Sequence, residues 1–207
     1  MRAMIDRIVV GITGASGAAY ARRVMQLLAE AGVEIHLAVS TLGQRLLFEE
    51  LGLKRIDADA LTGGRGELVT VYNNNDVGAA IASGSFLHGG MIIVPCSANT
   101  LGAIASGLSD NLVKRAAAVT LKERRRLVLA YRESPASHID LGNMLRLSEA
   151  GAIIAPLSPG FYLGPKSIDD LVDFMAGRLL DLLGVPHELD VRWQETIERR
   201  VARPTER

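Results

Sequence analysis

The stretch 8–20, IVVGITGASGAAY, constrains this chain more than any other. An apolar run, Ile8-Val9-Val10, leads into a turn of small residues: Gly11, Gly14, Ser16 and Gly17. A helical pattern begins at Ala18 and continues through Val24, Leu27 and Leu28. Strand, tight glycine turn and helix start together open a parallel α/β unit. Small residues let a phosphate approach the backbone closely. The N–H groups of the first helical turn, at the positive end of the helix dipole, then hold it. Thr13 and Ser16 are expected to offer hydroxyls to the same anion. An ordinary strand–helix turn, with glycines only for packing, is the plain alternative.

The glycines run G-x-x-G-x-x-G rather than the dinucleotide spacing G-x-G-x-x-G. TGASG also looks like the start of a short-chain dehydrogenase. Two features argue otherwise. A dinucleotide fold ends its second strand with Asp or Glu to grip a ribose diol. Here Glu34-Ile35-His36-Leu37-Ala38-Val39 ends in Ser40, which suits a phosphate or a flavin edge. Dehydrogenases of that type also carry Tyr-x-x-x-Lys on a helix. Tyr162 and Lys166 have this spacing, but Gly164 and Pro165 between them break the helix that would align the two side chains. The expected ligand is a mononucleotide.

Composition narrows the classes. The chain has 207 residues, 48% of them hydrophobic, enough for one domain with its own core. Lys plus Arg and Asp plus Glu both number 23, so the formal net charge is zero. With no sustained basic face, a nucleic-acid partner is not expected. The single cysteine, Cys96, excludes an internal disulfide and fits a reducing, cytoplasmic setting. The first strand begins almost at once, so no signal peptide is expected. No apolar run approaches the roughly 20 residues that span a bilayer.

Strand and helix patterns alternate along the chain. The reading is a Rossmann-like, doubly wound, mostly parallel sheet with helices on both faces, a three-layer αβα fold. Strands are expected at 7–12, 33–39, 91–95, 127–130 and 151–156, with a short one near 68–72. Helices are expected at 17–31, 41–52, 98–106, 110–126, 139–150 and 168–183. Residues 55–78, with Asn73-Asn74-Asn75-Asp76, read as surface connections. Residues 79–85 read as a short helix or loop. In the helix at 139–150, Leu141, Met144, Leu145 and Leu147 are expected to face inward. The basic end of the helix at 110–126, Lys122-Glu123-Arg124-Arg125-Arg126, is expected to be largely solvated. Residues 1–190 form the domain, and 191–207 a tail or an arm onto a neighbouring subunit.

MIIVP at 91–95 stops at Cys96-Ser97-Ala98-Asn99-Thr100, a second strand-to-helix turn rich in hydroxyls, with Ser97 as the N-cap. Ligands of doubly wound sheets sit at the carboxyl ends of strands where the strand order reverses, so two such turns would bracket one ligand. Arg132-Glu133, at the end of the strand at 127–130, lies where a ligand should lie and is hard to explain as packing.

Taken together, GITGASGA at 11–18, ASGS at 82–85, PCSANT at 95–100, LKERR at 121–125, Arg132-Glu133 and PGFY at 159–162 closely resemble the UbiX-type flavin prenyltransferases. The match runs from about Ile8 to Trp193. The resemblance implies FMN, used in reduced form, and dimethylallyl monophosphate as substrates. It further implies that the five-carbon unit is joined to flavin N5 and C6 without a metal. Prenylated FMN would be the product, serving UbiD-type decarboxylases, and a homo-oligomer, typically a dodecamer, is expected. On this sequence, Ala15, Ser16 and Gly17 would meet the flavin from the first turn, and Ser40 from the second strand. Ser97, Ala98, Asn99 and Thr100 would bind it from the second turn, with Arg132 completing the site. Lys122, Arg132, Tyr162 and Arg178 would hold the prenyl phosphate, Arg178 by reaching an adjacent subunit. Glu133 lies beside that site. Glu50, with Glu49 as its one-residue alternative, resembles the family's acidic residue that moves a proton with Ser16. The implied catalytic set is Ser16, Glu50, Lys122 and Glu133.

Two other readings share the turns. An FMN-dependent cysteine decarboxylase of the phosphopantothenoylcysteine type has a Pro-x-Ser-x-Asn-Thr turn like PCSANT. It needs a catalytic His and a Pro-x-Met-Asn motif, and SPGFY stands in the late segment here. His36, His88, His138 and His187 show no matching arrangement, and His88 reads as a solvated loop residue. A non-catalytic flavin carrier would keep Ser16 and Ser97 but has no use for four phosphate-binding side chains. Cys96 reads as buried packing rather than a nucleophile.

Overall fold

The computed structural model describes residues 5–191. The tail from Trp193 onward therefore lies outside the described residues. Six strands, β1 (Arg7–Ile12), β2 (Glu34–Val39), β3 (Val69–Tyr72), β4 (Met91–Cys96), β5 (Leu127–Tyr131) and β6 (Ile153–Ile154), form one sheet in the order β3-β2-β1-β4-β5-β6. Every pairing is parallel. The helices are α1 (Ala18–Glu30), α2 (Thr41–Leu51), α3 (Ala58–Thr62), α4 (Ala98–Ala105), α5 (Leu112–Lys122), α6 (His138–Glu149) and α7 (Ile168–Leu183).

The central strands are apolar on both faces because both are covered. Ile8, Val10, Ile12, Ile35, Leu37 and Ile92 pack with α1, α2 and α7. The alternate residues Val9, Ala38, Met91, Ile93 and Leu129 pack with α4, α5 and α6. This is the expected three-layer fold. The strand order reverses between β1 and β4, which pair Val9 with Met91 and Gly11 with Ile93. The two turns singled out in the sequence leave these two strands. No described helix is long and apolar enough to cross a membrane.

The caps follow the sequence. Ser40, Ser97, Asn111, Ser137 and Ser167 each accept a backbone N–H in the first turn of the following helix. Ser137 and Ser167 complete capping boxes with Asp140 and Asp170.

Several expectations need correction. A one-turn helix, α3, forms inside 55–78, where Asp57 supplies an N-cap. α5 is shorter than 110–126: it ends at Lys122, and Arg124 takes a left-handed φ of 56°. Arg125 and Arg126 are not a solvated end. Arg125 donates to the carbonyls of Gly84 and Phe86, and Arg126 to that of Leu183. Leu141 and Leu145 are exposed, and α6 buries only Leu147 fully, because the helix packs by one narrow stripe, chiefly against α4 and less against β6. The strand at 151–156 shrinks to two residues at this edge, although Ala155 and Leu157 still donate to the carbonyls of Leu129 and Tyr131. Tyr162 to Lys166 is a loop, with Gly164 at φ 69°, so that pair is not on a helix.

Candidate functional site

The first turn is built around Thr13. Its side chain is buried, and its Oγ1 donates to the Pro95 carbonyl at 2.8 Å and accepts the Ser97 N–H at 3.0 Å. Thr13 thus ties the β1 turn to the β4 turn across the switch point. This corrects the expectation that its hydroxyl donates to an anion: its one hydroxyl hydrogen is spent on the Pro95 carbonyl. Ser16, by contrast, is exposed at the turn.

The first N–H groups of α1 are not free either. Gly17 is the N-cap at φ 129°, a conformation that leaves no side chain to cap the helix. Glu50 of α2 supplies the missing carboxylate. Its Oε2 accepts from the Gly17 N–H at 3.0 Å and the Ala18 N–H at 2.8 Å. A carboxylate there is favoured by the helix dipole. Glu49 turns away and pairs with Arg45 at 2.7 Å. Of the two candidate acids, Glu50 is the one at the turn beside Ser16.

Facing this turn, Ser97 Oγ accepts the Thr100 N–H at 3.3 Å and donates to Thr100 Oγ1 at 3.1 Å. Ser40 caps α2 through the Gly43 N–H at 3.0 Å. Between them opens a cavity of about 460 Å³ lined by Gly14, Ser40, Ser97, Asn99, Thr100 and Glu133, among others. It sits at the carboxyl ends of β1, β2 and β4, where a doubly wound fold binds its ligand. Hydroxyls, an amide and helix N-termini converge on one side. That donor set fits a mononucleotide phosphate and the polar edge of a flavin.

Sequence reasoning missed part of the wall. Asn74 and Asn75, read as surface connections, line the cavity. Asn74 also fixes α5: its carbonyl accepts the Leu112 N–H at 2.7 Å and its Oδ1 the Val113 N–H at 3.1 Å. Lys114 lines the same cavity, largely buried, with its Nζ 2.5 Å from Asp110 Oδ1. The hydrogen bond from Lys114 holds the Asp110 carboxyl below the usual carboxylate range. The Asp-x-x-x-Lys spacing at a helix start was the available signal.

The phosphate-binding candidates are not all gathered here. Arg132 follows β5, with its N–H donating to the Cys96 carbonyl at 3.1 Å. Its charge reaches the Tyr20 phenol on α1, whose pKa burial raises and Arg132 lowers in part. Tyr162 lies in the loop before α7, its ring edge-on to Phe174 at 5.5 Å. Lys122 is at the other end of α5, eight residues and about 12 Å of helix from Lys114, exposed and 3.5 Å from Glu123. Arg178 projects from the exposed face of α7, bonded to Asp181. None of Lys122, Arg132, Tyr162 and Arg178 lines this cavity in its own chain.

The remaining candidates have structural roles. Cys96 is fully buried, and burial pushes its thiol up to about 12, so it is not a nucleophile. No histidine lines the cavity. His88 is a loop residue but not a solvated one: it is half-buried beside Phe86, with Nδ1 3.0 Å from the Gly90 carbonyl oxygen.

Comparison with known proteins gives the lineage. The family model described as Flavoprotein matches residues 3–180. The flavin prenyltransferase UbiX of Halalkalibacterium halodurans is 48% identical over 191 residues, covering 90% of this chain and 92% of that protein. A crystal structure of AnUbiX (PadA1) in complex with FMN and dimethylallyl pyrophosphate superposes with a TM-score of 0.81 at 43% identity, covering 91% of this chain and 99% of that one. The dodecameric FMN-dependent UbiX-like decarboxylase of Escherichia coli O157:H7 gives 0.82 at 41% identity over the same shares. With its two stitched turns, its switch-point cavity and this degree of identity over nearly its whole length, the chain belongs to the flavoprotein family and, within it, to the UbiX flavin prenyltransferases.

Proposed function

We propose that this protein is a flavin prenyltransferase. It joins the dimethylallyl group of dimethylallyl monophosphate to N5 and C6 of reduced FMN, without a metal, and releases prenylated FMN and phosphate. The observation that carries the reading is the Glu50 carboxylate seated on the Gly17 and Ala18 N–H groups beside Ser16, on the same turn whose Gly14 lines a cavity suited to a mononucleotide. Ser40 and residues 97–100 hold FMN from two helix N-termini, with Ala15, Ser16 and Gly17 on the third side and Arg132 completing the site. When bound and reduced, FMN supplies the nucleophilic positions and an electron-rich surface for the allyl centre.

Breaking the allylic C–O bond leaves a phosphate carrying the bonding electron pair and a carbocation-like carbon. Lys122, Arg132, Arg178 and the Tyr162 phenol neutralise that phosphate, with Glu133 beside them. The freed carbon bonds to N5, which gives up its proton; a proton then adds to C2 of the dimethylallyl double bond as C3 bonds to C6, and the proton lost from C6 passes to Glu50, Ser16 or the released phosphate. Because Lys122 and Arg178 stand away from their own cavity, each site borrows them from neighbouring copies. The protein therefore works as a homo-oligomer, a dodecamer in this reading. Exposed Leu42, Phe48, Leu145 and Phe161 supply apolar surface for such contacts. The product serves UbiD-type decarboxylases in the cytoplasm.

The test is anaerobic. Purified protein is mixed with reduced FMN and dimethylallyl phosphate in the presence of a chelator, and the extracted flavin is weighed by mass spectrometry. A gain of one C5 unit with phosphate release is expected. Tightly bound but unmodified flavin, with either the monophosphate or the pyrophosphate donor, refutes the assignment and directs attention to cysteine-terminated substrates.

A further inference from the structure

Helix α7 holds an arrangement that the transfer chemistry does not explain. The Arg178 guanidinium donates through Nη1 to Asp181 Oδ2 at 2.9 Å. The other oxygen of that carboxylate, Oδ1, lies 3.4 Å from Nε2 of His187. The His187 side chain is only 1% exposed. Its Nδ1 accepts the Leu189 N–H at 3.2 Å. In the neutral ring the proton therefore sits on Nε2, which is buried without a hydrogen-bond partner among the described residues and has Asp181 Oδ1 as its neighbour at 3.4 Å.

The helix makes room for this ring. A Cβ on Gly177 would stand 2.7 Å from Val191 Cγ2 and 3.1 Å from His187 Cε1. Val191 in turn packs on Phe174 and Met175. Residues 185–191 thus fold back along α7 and seat His187 beneath the carboxylate that holds Arg178. An arginine on an exposed helix face samples many rotamers and loses that freedom when it binds. With Nη1 engaged by Asp181, Nε and Nη2 remain as a pair of donors suited to two phosphate oxygens.

We propose that Asp181 and His187 are positioning residues for Arg178: the buried imidazole orients the carboxylate, and the carboxylate orients the guanidinium presented to the prenyl phosphate. This rests on the reading of Arg178 as a phosphate ligand. The test is steady-state kinetics of the assembled enzyme with dimethylallyl phosphate. Asp181→Ala and His187→Leu are expected to raise KM about fivefold with kcat changed less than about twofold. His187→Gln, which keeps an acceptor for Leu189 and a donor for Asp181, restores KM to near the parent value. In an Arg178→Ala background neither substitution raises KM further. If Arg178→Ala raises KM while Asp181→Ala and His187→Leu do not, the positioning role is wrong and the phosphate role stands. Equal effects of Asp181→Ala with and without Arg178 also overturn it, since they mark a general structural defect. If Arg178→Ala leaves KM unchanged, the phosphate role itself falls, and the positioning role with it.

Discussion

Thr13→Val asks whether the two ligand-binding turns form one unit. Thr13 is 2% exposed, and valine keeps its volume, so the change is confined to the hydroxyl. The Pro95 carbonyl loses the 2.8 Å bond but keeps the Thr13 N–H at 3.3 Å, a loss of about 1 kcal/mol. The half-buried Ser97 N–H loses its 3.0 Å partner outright, at a cost of about 1–2 kcal/mol. Together these give a destabilisation of about 2–3 kcal/mol. The assay is equilibrium urea unfolding at matched protein concentration, because association contributes to the apparent stability of an oligomer. FMN affinity, read by fluorescence quenching, should weaken in the same variant, since Ser97 and Thr100 lose their reference to the first turn. A stability loss below about 0.5 kcal/mol with unchanged FMN affinity would refute the reasoning. It would mean that each strand positions its own turn.

Other outcomes follow from the same geometry. Glu50→Gln keeps a side-chain oxygen for the α1 N-terminus but no charge, so prenyl transfer should slow about a hundredfold in single-turnover assays while unfolding shifts by about 1 kcal/mol at most. If each site draws on several copies, Glu50→Ala and Arg178→Ala proteins, each impaired alone, should gain activity when dissociated and reassembled together, and not when merely mixed. Native Cys96 should resist iodoacetamide until the protein is unfolded. Its raised pKa means the folded thiol keeps a proton that the unfolded one releases, so its contribution to stability is full below about 9 and falls as pH rises toward about 12. Burial, followed by the Arg7 charge, lowers the His36 pKa below its ordinary 6.5, against a smaller upward pull from Glu34. The unfolded chain therefore binds the proton more readily, and stability falls as pH drops below 6.5. The urea midpoint should fall less between pH 7 and 5.5 in His36→Gln than in the parent protein.

Much of this protein was legible in the chain alone, because its cues are local. The parallel fold follows from apolar runs alternating with amphipathic helices, and the serine caps and the Gly184 helix stop follow from single residues whose chemistry acts within one turn. The two turns at Gly11–Gly17 and Ser97–Thr100 were visible for the same reason. What tertiary structure decided is everything that depends on distance through space. Thr13 and Ser16 look alike in sequence, yet Thr13 is consumed in joining β1 to β4 and Ser16 stays exposed. Glu49 and Glu50 differ by one position, but 100° of helix rotation sends one to Arg45 and the other to the start of α1. Leu141 and Leu145 fit an inward stripe in sequence, yet α6 packs on α4 and β6 through a different, narrower face and leaves them exposed. Lys122, Arg132, Tyr162 and Arg178, grouped by motif, do not line the switch-point cavity of their own chain. Sequence spacing specifies which residues share a turn or a helix face. Only packing specifies which of those faces meet.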